Sequence, residues 1–438
     1  MSNPRIVSVL ATLSIFAASH SFAVTLNACL EAALESNPSL EAAAQRVAVA
    51  ASAIDSARSG YYPTLGLAGS YTLTDNAPQA FFMNLNQRTA TLDKDFNQPG
   101  DTDNLRGSVM FRMMLLDGGQ RGLMTDMAIA GTDTATAMLD ATRNELVYEV
   151  TRAYHSVLQS TALLAVREET VASIEENLRV ANERMTAGSV IKTDVLNLEV
   201  QLAEAREELI RASNGQKLAI AALNTAIGRD LVADAASLDS VASESLSAPP
   251  ATIDMNRVED RPEWTAYERQ VDAAELDAKR VSRDKLPKVS AFGSLDADSG
   301  DADQFEDSYL VGAMVELDLF TGFRRQSEHA SATARANEVR AQRDHIKNQL
   351  MLDLKRSHLM TQETWERWQV ANASEANAEE SLRITRERYE QGAAEITELL
   401  TAQVGRTASR SRSVAALYDY LIARANLERA QGTSMEQE

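Results

Sequence analysis

The chain has 438 residues, 44% of them hydrophobic and 24% charged, and carries a formal net charge of −20. An acidic balance of that size excludes a nucleic-acid surface, because neutralising phosphates requires clustered Lys and Arg. Aromatics are scarce at 5%, beside abundant Ala, Leu, Glu, Gln and Arg, which favours long helices over compact mixed packing.

Residues 1–23 read as a secretory signal: Arg5 supplies the charge, Ile6 to Ala18 the apolar core, and Ser21-Phe22-Ala23 the cleavage site. The mature chain then begins at Val24. Cys29 admits two readings, an acylated cysteine after Leu26-Asn27-Ala28 or a small buried residue of the first helix. The bulk of Asn27 and a polar stretch before Cys29 favour burial. A lone cysteine offers no intramolecular disulfide.

Asn37-Pro38 opens a helical pattern that runs to Tyr62-Pro63-Thr64. Two strands of period two follow, at about 64–74 and 106–116, separated by a long polar loop from Asp75 to Asn104. Leu65, Leu67, Tyr71 and Leu73 alternate with Gly66, Ala68, Ser70 and Thr72; Val109, Phe111, Met113 and Leu115 alternate with Ser108, Met110, Arg112 and Met114. One apolar face and one small or charged face suit a barrel strand between lipid and a wet lumen. A soluble two-sided sheet shares that period. No stretch of the mature chain approaches the roughly 18 continuous apolar residues of a transmembrane helix, so any membrane passage must be made by strands.

Gly and Pro are absent between Gly131 and Gly188, and again between Gly322 and Gly392. Val171, Ile174, Leu178, Ala181 and Met185 alternate steps of three and four, as do Leu198, Leu202, Ala205, Leu209 and Ala212 beyond Gly188. That is a coiled-coil seam. Each glycine marks a turn between a very long helix and an antiparallel partner, running to about Ile227 or Leu427.

The second half repeats the first. Pro262 and Pro287 stand 224 residues beyond Pro38 and Pro63; Gly392 and Glu398 stand 204 beyond Gly188 and Asp194. The copies therefore differ by a single insertion, between Pro63 and Asp117. The expected organisation is a first repeat at 24–229, a Ser-, Ala- and Asp-rich linker at 230–259, a second repeat at 260–432 with strands at about 288–297 and 308–319, and a tail at 433–438. Asp296, Asp298, Asp301 and Asp303 invite a calcium reading. They lack the glycine and terminal Glu of an EF-hand loop, which leaves a solvated loop.

Catalytic signatures are missing. The mature chain's histidines stand singly at 155, 329, 345 and 358, and Gly118-Gly119-Gln120-Arg121-Gly122 lacks the Lys-Ser/Thr of a phosphate cradle. No enzyme activity, metal or cofactor is expected. Four strands cannot close a barrel, and open edges in hydrocarbon leave backbone groups unpaired at several kcal/mol each. Three chains would supply twelve strands. The rival reading is a soluble periplasmic coiled-coil adaptor or scaffold, which would explain the helices but not the duplicated strand pairs.

Taken in order, Leu26 to Leu34 with Asn37-Pro38, Pro63 before a strand, Leu116-Asp117-Gly118-Gly119 after one, Arg261-Pro262-Glu263 and the Gly188 and Gly392 turns resemble the TolC-like outer membrane efflux protein family across essentially the whole mature chain. The resemblance implies a mainly α protein with membrane β. It implies a trimeric outer membrane β-barrel, four strands per protomer, continuous with a long α-helical coiled-coil barrel and built on an internal tandem repeat. Such proteins are exit ducts for drugs, metals or secreted proteins, open outside and gated at the periplasmic tip. They engage periplasmic adaptors of inner membrane pumps, type I secretion systems among them.

Carried over residue by residue, the resemblance places a periplasmic gate at Asp194, Tyr389 and Glu398, and adaptor contacts at the turn residues Gly188, Ser189, Gln391 and Gly392. This chain departs from the family at two gate positions: Ala394 stands where an Arg is expected and Thr401 where a second acidic residue is expected. A substitute tether could come from Arg184, Lys192 or Arg388. Read without the resemblance, Tyr389 continues a core seam, Glu398 is an ordinary first-turn charge favoured by the helix dipole, and each glycine simply ends its helix.

Overall fold

A computed structural model describes residues 25–91, 95, 97–229 and 246–432. The expected signal, the first part of the linker and the tail lie outside the described residues. The elements run α1 Leu26–Ser36, α2 Pro38–Ser59, β1 Thr64–Thr74, α3 Ala77–Asn86, β2 Thr102–Leu116, α4 Gln120–Thr186 and α5 Lys192–Ile227. After a 3₁₀ turn at Met255–Asp260 come α6 Pro262–Ser282, β3 Lys288–Ser299, β4 Glu306–Glu316, α7 Arg324–Glu390 and α8 Ile396–Ala430. The duplication is visible in the lengths: α4 and α7 have 67 residues each, and α5 and α8 have 36 and 35.

Local chemistry explains the boundaries. The Thr25 hydroxyl accepts from Ala28 N at 3.2 Å to start α1. Pro38 and Pro262 occupy the first positions of α2 and α6, where a missing N–H costs nothing. Gly228, at φ +86°, ends α5 in the left-handed region, with Arg229 N bonded back to Asn224 O.

The compact units of the chain are not the two repeats; each draws on both. One takes residues up to Asn37 with Leu146–Ala251 and Leu359–Asn426, the other Pro38–Glu145, Thr252–His358 and residues from Leu427. The reason is that the hairpins bury their seams against each other. In the first unit Ile174, Ala181, Leu198 and Leu202 of the first repeat share a core with Leu382, Tyr389, Leu399 and Leu400 of the second. Cys29 is a free thiol buried on α1, and burial pushes its pKa up.

The second unit holds a four-stranded antiparallel sheet in the order β1-β2-β3-β4, with its own helical core around Val258, Trp264, Leu350, Leu354, Leu427 and Ala430. Pairing aligns the alternation of all four strands. Leu67, Val109, Leu295 and Tyr309 form one cross-strand row, and Ala68, Ser108, Asp296 and Ser308 the next. Period two sends these rows to opposite faces, one apolar and one polar.

Three details differ from the sequence reading. β2 begins at Thr102 because its ladder with β1 continues to Thr74. β4 stops at Glu316, opposite Lys288, so Leu317 to Leu319 leave the sheet. The stretch expected as a polar loop after Asp75 contains α3, capped by the Asn76 side chain on Gln79 N at 3.3 Å.

Candidate functional site

The turn at the end of α4 places Gly188 at φ +79° and the turn at the end of α7 places Gly392 at φ +70°. Both helices close with the same pair of bonds. Gly188 N reaches Met185 O and Ser189 N reaches Arg184 O; Gly392 N reaches Tyr389 O and Ala393 N reaches Arg388 O. The αL residue satisfies carbonyls that the helix end would leave bare. Gly188, Ser189, Gln391 and Gly392 are all exposed.

Tyr389 is buried at 6% exposure in the core of the first unit, and its hydroxyl finds no hydrogen-bond partner among the described residues. Its ring is covered by Arg184, whose guanidinium lies 4.7 Å from the ring centre. Arg184 also donates to Tyr389 O at 3.0 Å and to Glu390 O at 2.9 Å. A cation on the last carbonyls of a helix suits the negative end of its dipole. Of the tethers considered from sequence, Arg184 is thus the one that joins the two hairpins within one chain. Ala394, where the Arg was expected, packs against the same core.

Glu398 stands at the third position of α8 and accepts from Glu395 N at 3.4 Å, half of a capping box. Its carboxylate also meets Arg388 at 3.3 Å, a pair about half exposed on both sides. Thr401 turns its hydroxyl to Thr397 O at 2.7 Å. Asp194 occupies the corresponding place on α5, partly exposed, and has no side-chain partner among the described residues. The chain therefore brings Arg184 to Tyr389 and Arg388 to Glu398, and leaves Asp194 apart from both.

One cluster escaped the sequence reading. Arg406 of α8 is 4% exposed and bonds Glu379 of α7 at 2.6 Å and Glu169 of α4. Arg410 joins Glu169 from one turn further on, while Thr170 and Thr407 meet at 3.1 Å. Burial opposes ionisation of Glu169, but the hydrogen bonds and charges of Arg406 and Arg410 outweigh it and hold its carboxyl below the usual range. The available signal was a run of polar residues, Gln403, Arg406 and Thr407, at seam spacing on α8.

In the second unit the polar face of the sheet carries its own network. Arg106 forks onto Asp298 at 2.8 and 3.1 Å, Asn104 donates to the same carboxylate, and Ser108 and Ser294 donate to Asp296. The opposite face presents Leu65, Leu67, Tyr71, Leu73, Leu295, Tyr309, Val311 and Val315, all exposed, with Leu67 at 84%. Among the described residues no helix is long and apolar enough to cross a membrane, and no group of three or more His, Cys, Asp or Glu could hold a metal ion. Of the four aspartates expected in a solvated loop, Asp296 and Asp298 lie instead within β3, and Asp298 is buried.

The chain as a whole has relatives among known proteins. The family model for outer membrane efflux proteins matches residues 29–229 and 258–433. Among curated relatives, outer membrane efflux protein BepC of Brucella suis is 23% identical over 335 residues, covering 74% of this chain and 67% of that protein. Outer membrane protein TolC of Salmonella enteritidis is 22% identical over 416 residues, covering 92% and 81%. The aligned part spans 60–67% of the length of the first three curated relatives. In fold, the chain is similar to the Campylobacter jejuni CmeC outer membrane channel, with a TM-score of 0.82 at 15% identity, covering 94% of this chain and 87% of that one. With that family model covering most of both repeats, the chain belongs to the outer membrane efflux protein family.

Proposed function

We propose that this protein is an outer membrane exit duct, assembled from three copies, that passes cargo from a periplasmic adaptor and inner membrane pump to the outside. The observation that carries the reading is the sheet: β1 and β4 are its two edges among the described residues, and one face presents a broad exposed apolar band from Leu65 and Leu67 to Val311 and Val315. Bare edges go unsatisfied in lipid, and in water an exposed edge and apolar face invite association. Copies pairing β4 to β1 would close the wall, put the apolar rows against lipid and enclose the polar face as a wet lumen. The helices, entering and leaving the sheet at one end, then lie in the periplasm. No catalytic step and no cofactor belong to this reading.

The gate belongs to the turns of the first unit. Asp194, without a side-chain partner among the described residues, is free to pair across to a neighbouring protomer. Glu398, three times over, forms an acidic ring, and Tyr389 with its Arg184 cover fixes the end of α7. Gly188, Ser189, Gln391 and Gly392 are the exposed backbone on which an adaptor tip would dock. Relatives named for alkaline protease secretion (AprF of Pseudomonas aeruginosa) and for efflux stand side by side, so both kinds of cargo system suit the architecture.

Fractionation and planar-bilayer recording test the proposal together. The protein should leave the outer membrane only with detergent, run as a heat-modifiable trimer and conduct ions. Release by osmotic shock as a water-soluble monomer without pore activity would favour the scaffold reading.

A further inference from the structure

The two repeats differ at one place, where the offset between them falls from 224 to 204. In the second repeat β3 and β4 are joined by a short connection; in the first, α3 stands between β1 and β2. That helix is fastened to the sheet's polar face. Gln87, just past its end, donates to Asn104 Oδ1 at 2.9 Å and to Asp103 O at 2.7 Å. Asn104 donates in turn to Asp298, which is 1% exposed and already forked by Arg106. Asn104, Arg106 and Asp298 share the face of Ser108 and Asp296, as the register requires.

Two further ties hold α3 down. Arg88 reaches across to Glu306 of β4 at 2.9 Å. It does so from φ +54°, a left-handed conformation that glycine would adopt with less strain, so the strained residue is the one whose side chain makes the tie. Gly300 lies against Gln87: a Cβ there would stand 2.9 Å from its Oε1. With about 100° per residue on a helical wheel, Ala80, Asn84 and Gln87 share the face toward the sheet, and Ala80 is fully buried. Phe82 and Leu85 fall on the opposite side, 62% and 45% exposed.

We propose that α3 forms a second constriction of the duct, at its outer mouth, in which Phe82 and Leu85 of each protomer make an apolar collar that sets the size and hydration of what passes. This rests on the duct reading, under which the polar face is the lumen and the β1–β2 connection is extracellular. A ring of apolar side chains resists wetting. It stays shut to bulky hydrated solutes arriving from outside and parts for flexible amphipathic cargo pushed from within. The polar ties on Gln87 and Arg88 hold the collar over the lumen.

Cysteine labelling from outside intact cells tests this without opening the periplasmic gate. Ser290 lies on the polar face opposite Met114, far down the strands from Asn104. In a Ser290→Cys chain a small methanethiosulfonate reagent should react, while a membrane-impermeant maleimide carrying a polyethylene glycol chain should react slowly. Adding either Phe82→Ser with Leu85→Ser, or Gln87→Ala with Arg88→Ala, should raise the large reagent's rate by an order of magnitude or more. The unsubstituted chain, whose single Cys29 is buried, gives the blank, and heat-modifiable trimer on a gel checks assembly. Equal rates for the large reagent with and without both pairs of substitutions would overturn the constriction and leave the duct standing. Failure of the small reagent to reach Ser290→Cys, with labelling of Leu67→Cys instead, would overturn the duct reading and the constriction with it.

Discussion

Arg184 and Arg388 hold the same place in the two repeats, 204 residues apart, yet grip different partners: Arg184 crosses to the carbonyls of Tyr389 and Glu390, while Arg388 stays with Glu398 and Ala393 O in its own hairpin. One position thus serves as a bridge in one copy and as a turn clasp in the other. Arg184→Ala removes two charge-assisted hydrogen bonds and a cation–π contact, together about 2 kcal/mol of local stability. Hydrogen exchange over residues 389–395 should speed accordingly, while Arg388→Ala, which loses an exposed pair, should change exchange there by far less. Equal effects would deny the bridge.

Glycine is required at both turns for a backbone reason alone. Nothing lies within 4 Å of a Cβ built on Gly188 or Gly392, so substitution meets open space and only the left-handed φ resists it. Gly188→Ala and Gly392→Ala should each cost about 1 kcal/mol, and Gly392→Asn less. Amide exchange at Ser189 and Ala393 reports it, since their N–H groups close the two caps.

His155 is buried on α4 beside Tyr154 and Tyr418, its Nδ1 without a hydrogen-bond partner among the described residues, and burial lowers its pKa to about 4. The unfolded chain takes up that proton near pH 6.5 and the folded chain does not. Stability is therefore complete above about 6.5 and falls as the pH drops toward 4, by on the order of 3 kcal/mol. In His155→Phe the decline between those values should shrink. Thermal melts of the two chains across that range decide the matter; parallel curves would remove His155 as the cause.

Glu169 acts lower on the pH scale. Its carboxyl is held below the usual range, so its contribution is present above the ordinary carboxylate pKa and is lost as the pH falls through the depressed value. Glu169→Gln should flatten the melting curve only in that acid limb. Arg406→Ala should be harsher at every pH, because it strands Glu169 and Glu379 without their buried partner.

On the sheet, Leu67 stands in the apolar row with Val109, Leu295 and Tyr309. Leu67→Lys should cost about 2–4 kcal/mol if the row meets the bilayer midplane, and the heat-modifiable oligomer should disappear from gels. Ser294→Lys, on the polar face, should leave it intact.

Periodic features were legible because periodicity is what burial selects. The seam through Ile174, Ala181 and Leu198 announced a core, Gly188 and Gly392 announced turns that few other residues could make, and alternation from Leu65 to Leu73 announced a two-faced strand. The Arg184–Tyr389 bridge was not legible in this way: its partners are 205 residues apart, and only the fold says which arginine is near. α3 was hidden because ten residues starting Ala-Pro-Gln show no sustained period inside a polar stretch. Arg406 was overlooked because a charged residue at seam spacing looks like a solvated interruption until Glu169 and Glu379 are seen to meet it.

The two bare margins of the sheet have a cost beyond the single chain. In the proposed duct each copy is completed only by its neighbours, so a fault in β1 is also a fault in whichever β4 should have met it. A damaged subunit would then spoil sound ones when the two are made in the same cell. The gene should accordingly be easier to poison by co-expressing a crippled copy than its length would suggest.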